Sequence, residues 1–176
     1  MKTFSFIGMV AGIITLSAFT INNSINWKIS DGYSIKFSSE DPSGVFTKLK
    51  GNIAFDETNL SSSSFDLEVD VNSINTGNGM QNKHAVGKKW FNAELYPTIH
   101  FISEKFVKTS KGYQVMGALE MHGVKKNFTM PFTFVNNTFI SSFTVDRTEF
   151  DLGATKGMSA KVPHEITLDI SVPVTK

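Results

Sequence analysis

Ser64-Phe65-Asp66-Leu67-Glu68-Val69-Asp70-Val71-Asn72 is apolar at every second position. Phe65, Leu67, Val69 and Val71 leave one face, while Ser64, Asp66, Glu68, Asp70 and Asn72 leave the other. Successive side chains of an extended chain point to opposite faces, so this segment reads as a strand with one face in a core and one in water. The same period of two runs outward from it in both directions. Tyr33, Ile35 and Phe37 alternate with Ser34, Lys36 and Ser38, and Val45, Leu49, Ile53 and Phe55 share a parity around Lys48, Lys50 and Asn52. Downstream come Ile99 and Phe101 around His100, then Tyr113, Val115, Leu119 and Met121, then Phe128, Met130, Phe132 and Phe134. Phe139, Phe143 and Val145 follow, and Ile166, Leu168, Ile170 and Val172 close the series.

Turn formers separate these runs: Asp41-Pro42-Ser43-Gly44, Ser61 to Ser64, Ser110-Lys111-Gly112, His122-Gly123, Asn136-Asn137 and Gly153 to Gly157. About eight strands result. The link from Asn75 to Pro97 is the exception, and its spacing predicts a short helix from about Met80 to Phe91 with Asn78 or Gly79 near its start. Eight antiparallel strands with one apolar face each must bury that face in a sandwich or a closed barrel. Phe dominates the apolar parity, with 16 in the chain against three Tyr and two Trp. That excess favours the barrel. An eight-stranded barrel is either filled by its side chains or holds one small ligand, and the alternation admits both.

Composition narrows the function. Of 176 residues, 17 are basic and 16 acidic, for a net charge of +1, which gives no electrostatic footprint for nucleic acid. There is no cysteine, so disulfides, thiolate metal sites and cysteine nucleophiles are excluded. His84, His100, His122 and His164 are scattered and form no metal signature. No phosphate-cradling glycine loop or Gly-x-Ser-x-Gly elbow occurs. No catalytic residue, metal or cofactor is expected. Lys88-Lys89 and Lys125-Lys126 read as surface charge that could also meet an anionic head group or lipid surface. Met1 to Thr20, one Lys followed by a mostly apolar stretch from Phe4 to Phe19, reads as a signal peptide with cleavage between 18 and 26 or, alternatively, as a retained anchor. The expected barrel domain is 27–176, exported to a periplasm-like compartment that a cysteine-free chain suits.

Two segments carry a more specific pattern. In Ser73 to Phe101 stand Ser73-Ile74, Lys83-His84, Trp90-Phe91-Asn92 and Tyr96-Pro97-Thr98-Ile99-His100-Phe101. In Gly112 to Phe132 stand Gly117, Leu119, Gly123, Val124 and Lys126, and Asp146-Arg147-Thr148-Glu149-Phe150 precedes the last strand. In this order they resemble the YceI-like family of exported polyisoprenoid-binding proteins. The chain departs from the family pattern at Asp151, where Gly is usual, at Asn82 and Ala85 around His84, and in a short first hairpin at Ser39-Glu40-Asp41-Pro42.

The resemblance implies an all-β, lipocalin-like barrel of eight antiparallel strands with a helical excursion, and an apolar tunnel for an isoprenoid tail. The expected function is non-catalytic: to sequester or carry a quinone or polyprenyl lipid, with transient membrane contact admitted and oligomeric state open. Mid-strand positions of apolar parity give the candidate lining: Phe37, Phe55, Phe65, Leu67, Val69, Phe101, Leu119, Phe132, Phe143 and Leu168. His84, Trp90, Phe91 and Arg147 are candidate mouth or head-group residues; for Trp90 and Phe91 helix–barrel packing, and for Arg147 a structural bond, are the competing roles. Two rivals stand beside this reading. One is a solid-core envelope protein; the other is an enzyme acting on a bound lipid, with His84 and Glu94 as its polar pair.

Overall fold

The computed structural model describes residues 24–153 and 156–176. The leader read at Met1 to Thr20 lies outside the described residues. Among the described residues no helix is long and apolar enough to cross a membrane.

Eight antiparallel strand lines run up and down in chain order and close on themselves. The first line is β1 (Asn26–Ile29) and β2 (Ser34–Ser38), the second β3 (Gly44–Phe46) and β4 (Leu49–Ala54), the third β5 (Ser64–Asp70) and β6 (Ile74–Asn75). Five unbroken strands follow: β7 (Thr98–Thr109), β8 (Gly112–Met121), β9 (Val124–Val135), β10 (Thr138–Asp146) and β11 (Glu165–Thr175). β11 pairs with β1 through Lys28↔Thr175 and with β2 through Ile35↔Ile170, so last line meets first and the barrel is closed. Closure removes the terminal edge strands that an open sheet would carry, though the wall is not paired along its whole length.

The three broken lines are interrupted side by side. The buried Ser73 hydroxyl accepts from the amides of Thr47 and Lys48, at 3.1 Å each, and donates to the Asp70 carbonyl at 2.6 Å. The Tyr33 hydroxyl donates to the Thr47 carbonyl at 2.9 Å and accepts from the Leu49 amide at 3.0 Å. These two side chains satisfy backbone groups that the interrupted ladders leave without strand partners. The break also shifts the parity. Val45 pairs with the exposed Lys36 and faces out, contrary to its expected grouping with Leu49; Phe46 takes the inward place.

The excursion at 76–97 holds one helix, α1 (Gly79–Ala85). It is shorter than the predicted span. Asn78 caps it by accepting from the Met80 and Gln81 amides, and the chain turns at Gly87. Along β5 the two faces separate as the alternation requires. Phe65, Leu67 and Val69 face in, while Asp66 meets His100 at 2.7 Å, Glu68 meets Lys50 at 2.9 Å and Asp70 meets Lys48 at 3.3 Å on the outside. Such surface pairs contribute at most about 1 kcal/mol each.

One end of the barrel is solid. Phe55, 1% exposed, is ringed by Phe65, Phe106, Tyr113, Phe132, Phe134 and Phe139 at centroid distances between 5.2 and 6.4 Å. The Trp27 indole donates to the Phe55 carbonyl at 2.9 Å, and the Tyr113 hydroxyl donates to Glu57 at 2.7 Å. Burial, helped by that bond, pushes the Tyr113 hydroxyl up to about 12. Replacing Phe55 by Ala is expected to lower unfolding stability by about 3–5 kcal/mol, since no neighbour can collapse into so crowded a ring of aromatics. Chemical denaturation measures it, and a loss under about 1 kcal/mol would show that this end is not packed solid.

Candidate functional site

Above the aromatic plug the barrel is hollow. A cavity of about 1000 Å³ runs from Phe132 and Phe139, over the plug, to a mouth between the excursion, the loop after β2 and the segment between β10 and β11. This is at the upper end of the range of small-molecule pockets. A core filled throughout by aromatic side chains is therefore not what the sequence builds. It is solid in one half and open in the other.

Nine of the ten candidate lining residues face this space: Phe37, Phe65, Leu67, Val69, Phe101, Leu119, Phe132, Phe143 and Leu168. Phe55 does not. It shares their parity but sits at the axial level where rings meet across the barrel, so it plugs the end. Mid-strand selection missed Phe46, Ile74, Ile99 and Ile166, which line the cavity nearer strand ends, and also Met130 and Ile170, which are themselves mid-strand. Their alternation was readable; their height was not. Among the polar side chains lining the cavity, Ser141 donates its hydroxyl to the Pro131 carbonyl.

The mouth collects the rest. His84, Trp90 and Phe91 all border the cavity, with Phe91 packed on Phe46 at 6.0 Å. Four lysines, Lys83, Lys88, Lys89 and Lys161, and one carboxylate, Asp41, stand around the opening. All four lysines are exposed, and none is ion-paired among the described residues. The signal for two of them lay in the sequence, where Lys88-Lys89 directly precedes Trp90-Phe91. Glu94 is exposed and does not border the cavity, so His84 and Glu94 are not brought together there. Among the described residues no group of His, Asp and Glu could hold a metal ion.

Arg147 also borders the cavity but is unavailable to a head group. It is 2% exposed, and all five of its N–H groups donate to backbone carbonyls. Nε bonds Pro163 at 3.0 Å, Nη1 bonds Leu152 at 2.6 Å and Gly153 at 3.3 Å, and Nη2 bonds Ser159 at 3.2 Å and Val162 at 2.9 Å. Among the described residues no carboxylate pairs with it. Burial lowers its pKa, with the nearby Asp146 charge opposing the shift. Its guanidinium lies 5.3 Å from the Trp90 ring, and a Cβ on Gly153 would come within 2.7 Å of that ring. Arg147 thus gathers the segment between β10 and β11 and clamps it onto Trp90. The candidate head-group role is corrected to a structural one. An ammonium has three donors and no planar fork, so Arg147→Lys leaves carbonyls unmet. It is expected to lose at least about 2 kcal/mol and to open residues 152–162 to limited proteolysis. Wild-type stability and resistance in that variant would show that the cage is dispensable.

The YceI-like domain matches residues 20–174 of the chain. A UPF0312 protein of Yersinia enterocolitica is 31% identical over 87 residues, which are 49% of this chain and 45% of the relative; the match thus spans about half of each. The crystal structure of Burkholderia cenocepacia BcnA superposes with a TM-score of 0.75 at 26% identity, covering 82% of this chain and 96% of that one. A Campylobacter jejuni YceI protein gives 0.65 at 18%, covering 96% and 99%. A polyisoprenoid-binding domain from Saccharophagus degradans, implicated in plant cell wall breakdown, gives 0.55 at 14%, covering 84% and 91%. The last two likenesses concern the fold alone.

Proposed function

The chain belongs to the YceI-like family, and on that premise we propose that it is an exported, non-catalytic protein that sequesters or carries an isoprenoid-tailed lipid. The tail occupies the cavity and the head stays at the mouth among Lys83, Lys88, Lys89 and Lys161. The observation that carries this reading is the apolar space itself: about 1000 Å³, floored by Phe132 and Phe139 beside the Phe55 plug and bordered by charged side chains at its other end. A solid scaffold would have no use for such a space. The polyisoprenoid-binding neighbour, the Met1 to Thr20 leader and the scarcity of polar groups inside support it further.

An apolar tail offers nothing to hydrogen-bond, so its affinity comes from area removed from water, at about 0.8 kcal/mol per buried CH₂. Several isoprene units would bring that gain against the practical ceiling of about −18 to −21 kcal/mol, less the cost of ordering a flexible chain. The true competitor is a membrane, which is as apolar as the cavity. Transfer between the two is close to balanced, which suits a carrier that must also release.

Mass spectrometry of the organic extract from protein purified without detergent out of an exported fraction is expected to find an isoprenoid lipid near one per chain. Another lipid at that ratio would discard the isoprenoid assignment, and an extract still empty after lipids are offered would overturn the carrier. A tail-matched pair tests the head. Geranylgeranyl phosphate is expected to bind about tenfold tighter than geranylgeraniol, equivalent to about 1.4 kcal/mol, and to lose that margin at high salt or in Lys88→Glu/Lys89→Glu. Equal affinities would remove the lysines from head-group recognition.

A further inference from the structure

The barrel wall is not evenly stitched. β10 pairs with β11 over nine residues, from Thr138↔Pro173 to Asp146↔Glu165, and β8 pairs with β9 along the whole of β8's inner half and rim. β9 and β10 pair only at Thr138↔Val135, Phe139↔Phe134 and Ile140↔Thr133, beside their turn. Neither strand ends there. β9 continues to the mouth on the arm of β8, and β10 continues to the mouth on the arm of β11, with no pairing between them.

The sequence supplies the cause. Asn136 and Asn137, both at positive φ, form a two-residue turn, so Val135 and Thr138 are its closing hydrogen-bonded pair. In an antiparallel ladder every second residue faces the same neighbour. The backbone groups of Thr133, Pro131 and Thr129 therefore face β10. Pro131 has no N–H to give, which ends the ladder at the position where it would next be needed. Its carbonyl is taken as well, by the Ser141 hydroxyl. The other gap in the wall, between β6 and β7, is covered by the excursion, with Phe91 lying on Phe46. The β9–β10 gap is crossed among the described residues by that Ser141 hydroxyl bond, by the Phe128 and Phe143 rings at 5.1 Å, and by His122 Nδ1 with the Phe150 carbonyl at 3.2 Å near the rim. Both rings border the cavity. On the outside, Ile140 and Val135 beside the base of the seam are 47% and 53% exposed.

We propose that the β9–β10 seam is a lateral gate through which an apolar tail enters and leaves the cavity, with Phe128 and Phe143 as its latch. This rests on the lipid-carrying reading. A tail threaded end-on through the mouth must leave its membrane completely before its far end is seated. Through a side seam, each segment leaves one apolar phase as it enters the next, and opening breaks a ring contact and side-chain hydrogen bonds to the backbone but no strand ladder. The head remains at the lysines while the tail swings in.

The chain has no cysteine, so a thiol pair can be placed across the seam alone. Extending the register of Ile140↔Thr133 sets Thr129 opposite Thr144, both exposed. Thr129→Cys/Thr144→Cys, joined by a short bifunctional thiol reagent, is compared with each single variant treated alike. The probe is cis-parinaric acid, whose fluorescence reports its release from protein into phosphatidylcholine vesicles. The joined seam is expected to slow release at least tenfold at unchanged capacity, Phe128→Ala to speed it, and Pro131→Thr to slow it by restoring a donor to β10. Release from the joined protein at the unjoined rate overturns the gate and leaves the carrier standing. A wild-type protein that binds no probe overturns the lipid reading and the gate with it. Amide exchange gives a readout without lipid: protection of Ser142 and Thr144 equal to that of Val115 would show a bonded seam and overturn the gate.

Discussion

Six aromatic rings surround Phe55, and with the Trp27 indole held on its carbonyl they fill the barrel from wall to wall at one level. Edge-to-face and tilted pairs of this kind are favourable beyond the area they bury. Above that level the inward positions mix rings, among them Phe37, Phe101 and Phe143, with Ile35, Leu67, Val69, Leu119 and Ile170, and a cavity remains between them. The plug is thus the floor of the cavity as well as the core of the protein.

A half-empty barrel needs its wall held from elsewhere, and each region of the upper wall has a different device. Around the first three lines, Ser73 and Tyr33 tie the interrupted strands through backbone groups. Between β10 and β11, the Arg147 guanidinium collects five carbonyls from one side of the mouth and rests on Trp90 from the other. Neither device puts a free polar group into the cavity. Both are strong because burial strengthens hydrogen bonds whose donors and acceptors are all satisfied. The β9–β10 boundary has a slighter tie, the Ser141 hydroxyl on the Pro131 carbonyl beside the Phe128–Phe143 contact, and no ladder beyond the turn.

The alternation from Trp27 onward made the strand number, the closed architecture and the inward face legible, because period two is imposed by the pleat itself. What it could not convey is height along the barrel axis. Phe55 and Phe65 have the same parity and neighbouring positions, at Ile53↔Phe65, yet only Phe65 touches the cavity. Height depends on the stagger between lines, which the hydrogen-bond register sets and composition does not. Arg147 was opaque for a related reason. Its five acceptors come from Leu152 to Pro163 and are main-chain atoms, which leave no mark in a sequence. Val45 misled because an interrupted strand restarts its parity, and only the buried Ser73 betrays the break. Pro131 was readable: a proline five residues before a two-residue turn faces the partner strand by counting alone.

The cavity and the mouth would impose different kinds of selection on a bound lipid. The cavity is lined mostly by apolar side chains among the described residues, and an apolar pocket distinguishes one methylene by only about 1–3 kcal/mol. Tail identity is therefore set loosely, by volume and by whether a chain can bend over the Phe55 plug. At the rim, four lysines without ion pairs among the described residues stand with one carboxylate, and on the proposed reading a charged head group would stay there, since burying it in the apolar cavity is costly. Such a protein would discriminate by head and tolerate tails. It would also exchange cargo fastest with whatever surface brings the same sign of charge to Lys88 and Lys89 that the cargo's head carries, since a lysine freed by one anion is at once available to the next.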